Sequence, residues 1–229
     1  MKVILRILLV AAIAVLIYMC VQSILTPVNF EKVQKAREQA IVERLIVIRN
    51  AQIGFRNIHG KYAGNFDELQ KFLNEERIPF VVKKGELTDD QLKDGLTEKK
   101  AMEIIAKAKK TGKDDEVKKN KLQNFSRDTT WVLAKDTLIQ QGYDIAALPK
   151  VPGFENKSFE LDTATLSSPS GYTVPVFQCS VPYDVYLGDL DHQLLVNLKD
   201  KTTKLNKYNG LRVGSVTEIN NNAGNWEQF

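Results

Sequence analysis

The sequence predicts an α+β protein: a transmembrane helix continuing into a long amphipathic helix, packed on an antiparallel sheet from the C-terminal half. Three observations carry this. Ile7 to Leu25 is a 19-residue run without a charged side chain. Ile41, Leu45, Ile48, Ala51 and Phe55 follow at spacings of 4, 3, 3 and 4, one face of an α-helix. Beyond Phe125, segments rich in β-branched and aromatic residues alternate with period two between turn residues.

At ~1.5 Å per residue, the apolar run matches the roughly 30 Å hydrocarbon core of a bilayer. A cleaved signal peptide wants a short apolar core followed by small residues. Here Leu16, Ile17, Tyr18 and Met19 prolong the core, and the small cluster Ala11–Ala14 comes too early. A lipid-acceptor role for Cys20 would want small residues where Tyr18 and Met19 stand. An uncleaved anchor over residues 7–25 is therefore expected. Lys2 and Arg6 precede it and no charge follows until Glu31, so the positive-inside rule puts residues 1–6 in the cytoplasm.

The remainder, about 200 residues, suits one domain or one domain with an insertion. Lys and Arg number 32 against 28 acidic residues, without a sustained run of one sign, so nucleic acid is not an expected partner. Cys20 and Cys179 fall in different environments, so a disulfide is not expected.

Residues 28–60 read as a helical stalk. Pro27 either begins or kinks it, Asn29 is a candidate N-cap, and Gly60 a candidate stop. The polar stretch Glu31–Gln39 has little to bury and is expected to bridge membrane and domain. Residues 61–80 read as a turn and short helix, starting at Asn65, with Phe66, Leu69, Phe72 and Leu73 on one face and Pro79 ending it. Residues 81–124 hold 12 Lys and 9 Asp or Glu and read as a charged helical insertion. Thr88 and Gln91 form a capping box, and Leu92, Leu96, Ile104 and Ile105 a thin apolar stripe. A surface for an anionic partner is the alternative there. Residues 125–229 read as β-rich, with strands over Thr129–Leu133, Ser158–Asp162, Tyr172–Ser180 and Leu211–Val216. Pro175 marks an edge or bulge, Gln193–Leu198 a helix, and Ser168–Gly171 a turn.

Chemistry is sparse. His59 lies at a helix C-terminus and His192 at a helix start beside Asp189 and Asp191, without a second His or Cys at ligand spacing. Nucleophile-elbow, zincin and phosphate-loop patterns are lacking. Cys179 fits a buried apolar site, and Trp131 and Trp226 fit core anchors. Glu218, Asn220, Asn221, Asn222 and Asn225 carry oxygens of the kind calcium takes, but a loop held by Asn side chains is the expectation. No catalytic, cofactor or metal residue is assigned.

The anchor, the helix and the segment Arg49–Leu69 (RNAQIGFRNIHGKYAGNFDEL) together resemble type IV pilins and the pseudopilins of type II secretion. Gly60, Lys61, Tyr62, Asp67, Leu69 and Leu73 stand in similar places. Ala223–Trp226 (AGNW) is similar to the end of major pseudopilins, where an acidic loop before a Trp binds calcium. The resemblance implies a non-enzymatic structural subunit in a bacterial inner membrane, with a periplasmic head. Its implied partners are lipid, other envelope or secretion-complex proteins, and further copies of itself. The chain departs from the family where a Gly would precede the apolar helix and a Glu would lie early in it. Prepilin processing and conventional filament assembly are thus not implied. A bitopic scaffold of another envelope complex, and a membrane-tethered enzyme or ligand-binding domain, are the alternatives.

Overall fold

The computed structural model describes residues 2–140, 142–167 and 171–227. In chain order the elements are α1 (Lys2–His59), α2 (Phe66–Glu75), β1 (Arg77–Lys84), α3 (Asp89–Lys93), α4 (Glu98–Thr111), α5 (Asp115–Lys119), β2 (Ser126–Leu133) and α6 (Ala134–Leu138). A 3-10 turn at Ile145–Ala147 leads to β3 (Lys150–Val151), β4 (Phe154–Ser158), β5 (Glu160–Ser167), β6 (Thr173–Pro182), α7 (Tyr183–Leu187), α8 (His192–Lys204) and β7 (Gly210–Gly214). The chain is α+β as expected. It divides into two compact units, one of Met1–Asn74 with Leu138–Phe229, the other of Glu75–Thr137.

In the first unit α1 is continuous for 58 residues. Pro27 lies inside it, so the helix neither restarts there nor takes Asn29 as a cap. Pro27 has no amide to donate and its ring crowds the carbonyl one turn back, so α1 carries on past one missing i→i−4 bond. Ile41, Leu45, Ile48 and Ala51 are fully buried and Phe55 nearly so, as their spacing predicts. They pack over the antiparallel sheet β5-β6-β7, whose β7 runs against α1. Phe177, Cys179, Val181, Leu211 and Val213, which share one face by their pairing, supply the sheet's side of this core. Pro175 pairs only with Thr165 of β5, because β7 reaches β6 no further than Gln178. β6 is central at one end and an edge at the other, and the proline sits in the edge part.

The turn after α1 is fixed by named bonds. Gly60 takes φ +72° and donates its N–H to the Arg56 carbonyl. Gln52, fully buried, donates to the Ala63 carbonyl at 3.0 Å and accepts from its N–H at 2.9 Å. Asn65 accepts from the Glu68 N–H, starting α2. Leu69, Phe72 and Leu73 are then buried, with Phe72 edge-on to Phe55.

The unit Glu75–Thr137 corrects the expected boundaries. Pro79 does not end α2, which stops at Glu75. It lies in β1, which pairs with β2 over Arg77↔Leu133 to Lys84↔Ser126. The strand Thr129–Leu133 therefore belongs to this ribbon, not to the C-terminal sheet. Ile78, Phe80, Val81 and Val82 are the β-forming residues of β1, which straddles the expected boundary between 61–80 and 81–124. A two-stranded ribbon has two open edges, which is why proline fits. It has no second layer, so Trp131, opposite Pro79, is 62% exposed rather than a core anchor.

The helical part of this unit has its own small core. Leu96, Ala101, Leu122 and Phe125 are buried, with Leu87, Ile104, Ile105 and Val117 packed around them; Leu92 is exposed. Thr88 and Gln91 form the expected capping box. The Arg127 guanidinium stacks over Phe125 at 4.0 Å, pairs with Glu98 at 2.9 Å and donates to the Lys84 and Gly85 carbonyls, joining ribbon to helices.

Candidate functional site

The part of α1 ahead of the head is the molecule's most distinctive surface. Its most apolar 18-residue window has a mean hydropathy of 2.6 and is wholly unburied within the protein. Ile7, Leu8, Leu9, Val10, Leu16 and Ile24 each expose about 60% or more of their surface. Such a patch is far too large for a water-facing surface, and it has the length to cross a membrane.

The head begins directly above it. Phe30 is buried, five residues beyond Leu25. The stretch Glu31–Gln39 is therefore not a free spacer, as its polarity suggested. Arg37 forms a two-pronged pair with Asp189 at 2.5 and 2.8 Å and donates to the Tyr186 carbonyl at 2.6 Å. Hydrogen bonding to Arg37 holds the Asp189 carboxyl below its usual range. Burial pushes Glu38 up, against hydrogen bonds from Gln34 and Tyr186. Both side chains dock α1 on the α7 turn. Sequence inspection missed this because the partners lie about 150 residues apart, and helical spacing reports only a helix's own faces.

At the far end, the C-terminal loop meets the turn after α1. Tyr62, 5% exposed, stacks 4.8 Å from Phe177, accepts from Arg56 at 3.0 Å and shares its hydroxyl with the Asn222 amide. Asn225 acts as an extra strand residue. It accepts from the Arg212 N–H at 3.1 Å and donates to the Gly210 carbonyl at 2.9 Å. Glu227 pairs with Arg49 at 2.7 Å, which lowers its titration. Asn220 donates to the Ala223 carbonyl, and Glu218 stands 3.7 Å from Arg212. The loop is held by Asn side chains, as expected. Trp226 is half-buried against Gly224.

The other singled-out residues do not converge. Asp191 caps α8 through the Leu194 N–H at 2.9 Å, and His192 opens that helix. Asp184 pairs with Lys199 at 2.7 Å. His59 stacks on Phe55. Cys179 is fully buried, and burial drives its thiol far up. The expected turn at Ser168–Gly171 lies largely outside the described residues. Among the described residues, no group of three His, Cys, Asp or Glu could hold a metal ion. In the 75–137 unit a concavity of about 530 Å³ brings Lys100, Lys119 and Lys121 together with Glu86, Asp90 and Asp94, a mixed field without the single sign an anionic partner would select. The arrangement can anchor and present a rigid head, and the named side chains are committed to holding it together.

Comparison with protein-family models, with curated proteins and with solved structures yields no match.

Proposed function

We propose that this chain is a single-pass, non-enzymatic structural subunit of a bacterial envelope assembly, with a pilin- or pseudopilin-like head. One observation carries the reading: a single unbroken helix is apolar and unburied in its first half and forms the spine of an α+β head in its second. Lys2 and Arg6 favour a cytoplasmic N-terminus, and the head then lies on the periplasmic face of the inner membrane. A helix without a joint between membrane and head transmits position. Movement of the anchor in the bilayer becomes movement of the head, and contacts made by the head hold the anchor in place. The Arg37–Asp189 clamp and the Arg49–Glu227 pair tie the head to this spine near its two ends.

The direct test is in-cell crosslinking followed by purification of the full-length chain from membranes. The proposal expects envelope components, or further copies of the chain, in the crosslinked product. A chain that stays in the membrane and co-purifies with neither is not an assembly subunit. The bitopic-scaffold reading is favoured by the absence of a carboxylate from Ile7–Leu25. It would be preferred if the partners were envelope proteins unconnected with secretion or surface appendages.

A further inference from the structure

We infer that the head carries a binding site for a small apolar carboxylate, where the end of α1, the free stretch of β6 and the Asn-rich loop meet. The inference does not depend on the membrane-anchored reading. β7 pairs with β6 no further than Gln178. Gly214 takes φ +71° and donates its N–H to the Ala223 carbonyl, so the chain leaves β6 there. Val174 and Pro175 are left without a neighbouring strand on that side. A cavity of about 290 Å³ opens beside them, lined also by Arg56, Tyr62, Ile219 and Asn222. Its volume is near the lower bound of roughly 300–1,000 Å³ for small-molecule sites, so its occupant is small.

The lining holds a cation, Arg56, and no acidic residue. Among the described residues Arg37, Arg49, Arg127 and Arg212 each pair with a carboxylate. Arg56 pairs with none. It donates to the Tyr62 hydroxyl at 3.0 Å and lies over the Tyr62 ring at 5.5 Å. A guanidinium carries five N–H donors in a planar fork, so most of those on Arg56 are uncommitted. Tyr62 is itself fixed, since it stacks on Phe177 and shares its hydroxyl with the Asn222 amide. A half-buried guanidinium resting on a fixed ring, with its fork free, selects a carboxylate, whose two oxygens match the fork. A metal cation in the same place would meet like charge, so this lining does not suit calcium.

The rest of the wall adds the apolar half of the ligand. Val174 and Pro175 are half-buried, and Ile219 is 47% exposed. An acid with a short branched hydrocarbon tail would seat its carboxylate on Arg56 and its tail against these three. A free branched-chain acid and the last residue of a peptide chain both carry that chemistry. The unpaired stretch of β6 gives the peptide a strand edge to lie along.

The test is isothermal titration calorimetry on the full-length chain in detergent. The ligands are an alanyl-alanyl-valine peptide with a free C-terminus, the same peptide amidated at its C-terminus, and isovalerate. At least one of the two acids should bind saturably. Amidation should weaken the peptide about tenfold or more, the loss expected when hydrogen bonds to a charged group are removed. Arg56→Gln should weaken the acids to the same degree. Ile219→Asp, at an exposed position, places a like charge beside the ligand and should weaken them too, with the thermal melt unchanged. That second variant separates a lost site from a fold defect in Arg56→Gln. Tighter binding of the free peptide than of isovalerate assigns the site to a chain terminus, and the reverse order assigns it to a free acid. Equal binding of the free and amidated peptides, affinities untouched by both variants, or no binding of either acid overturns the assignment.

Discussion

Leu45→Ala tests whether the second half of α1 is the spine of the head. Leu45 is fully buried, within the run from Ile41 to Phe55. The change removes three carbons. At about 0.8 kcal/mol per buried methylene, the transfer cost is about 2.4 kcal/mol. The residual cavity adds to it, and Leu→Ala changes in cores span about 2–5 kcal/mol. A loss of about 3 kcal/mol is expected. For a domain of this size a kcal/mol lowers Tm by about 2–4 °C, so the drop should be roughly 6–12 °C. The assay is thermal unfolding of the full-length chain in detergent, followed by circular dichroism. Gln39→Ala, on the exposed side of the same helix, is the control and should change stability by about 0.5 kcal/mol or less. A Leu45→Ala loss below about 1 kcal/mol, or a control as damaging, would refute the packing argument.

Three further outcomes follow from the same structure. Gly214 has φ +71°, and a Cβ there would strike the Phe177 carbonyl, so Gly214→Ala should cost at least about 1–3 kcal/mol in a denaturant melt. Asn225→Ala leaves the Arg212 N–H and Gly210 carbonyl without their partner. It should cost about 1–3 kcal/mol and speed hydrogen exchange at the Arg212 amide. Burial raises the Glu38 titration above its unfolded value, so this group favours folding at low pH and loses that contribution as pH rises through the folded value. Glu38→Gln should therefore gain stability relative to wild type as pH rises from about 4 to 7, and a difference that does not change with pH would contradict the assignment.

The periodic parts of this fold were legible in the sequence. Ile41–Phe55 reads as a buried helical face because packing on one side of a helix imposes its 3.6-residue repeat on the chain itself. The Thr88–Gln91 capping box and the Gly60 stop are equally local. The β1–β2 ribbon was not legible. Arg77–Lys84 holds a proline and two lysines, and only its partner across some 50 residues makes it a strand. Trp131 misled for a related reason: a large aromatic residue predicts burial only where a second layer exists to cover it. The head's lower edge was misplaced because Glu31–Gln39 looks polar by composition. Arg37 and Glu38 are polar groups that bind the head, and their partners on the α7 turn lie far along the chain. The C-terminal loop was legible as an Asn-held turn, whereas its meeting with Tyr62 is a tertiary fact that the sequence does not encode locally.

The central claim is that one rigid helix crosses the membrane and emerges directly into the head. Single-cysteine accessibility along α1, in a Cys20→Ser background and in intact spheroplasts, tests it most directly. The account predicts that Ile13→Cys is shielded from a charged, membrane-impermeant maleimide, while Lys35→Cys, exposed and five residues past Phe30, labels without lysis. Labelling of Ile13→Cys, or labelling of Lys35→Cys only after lysis, would contradict it.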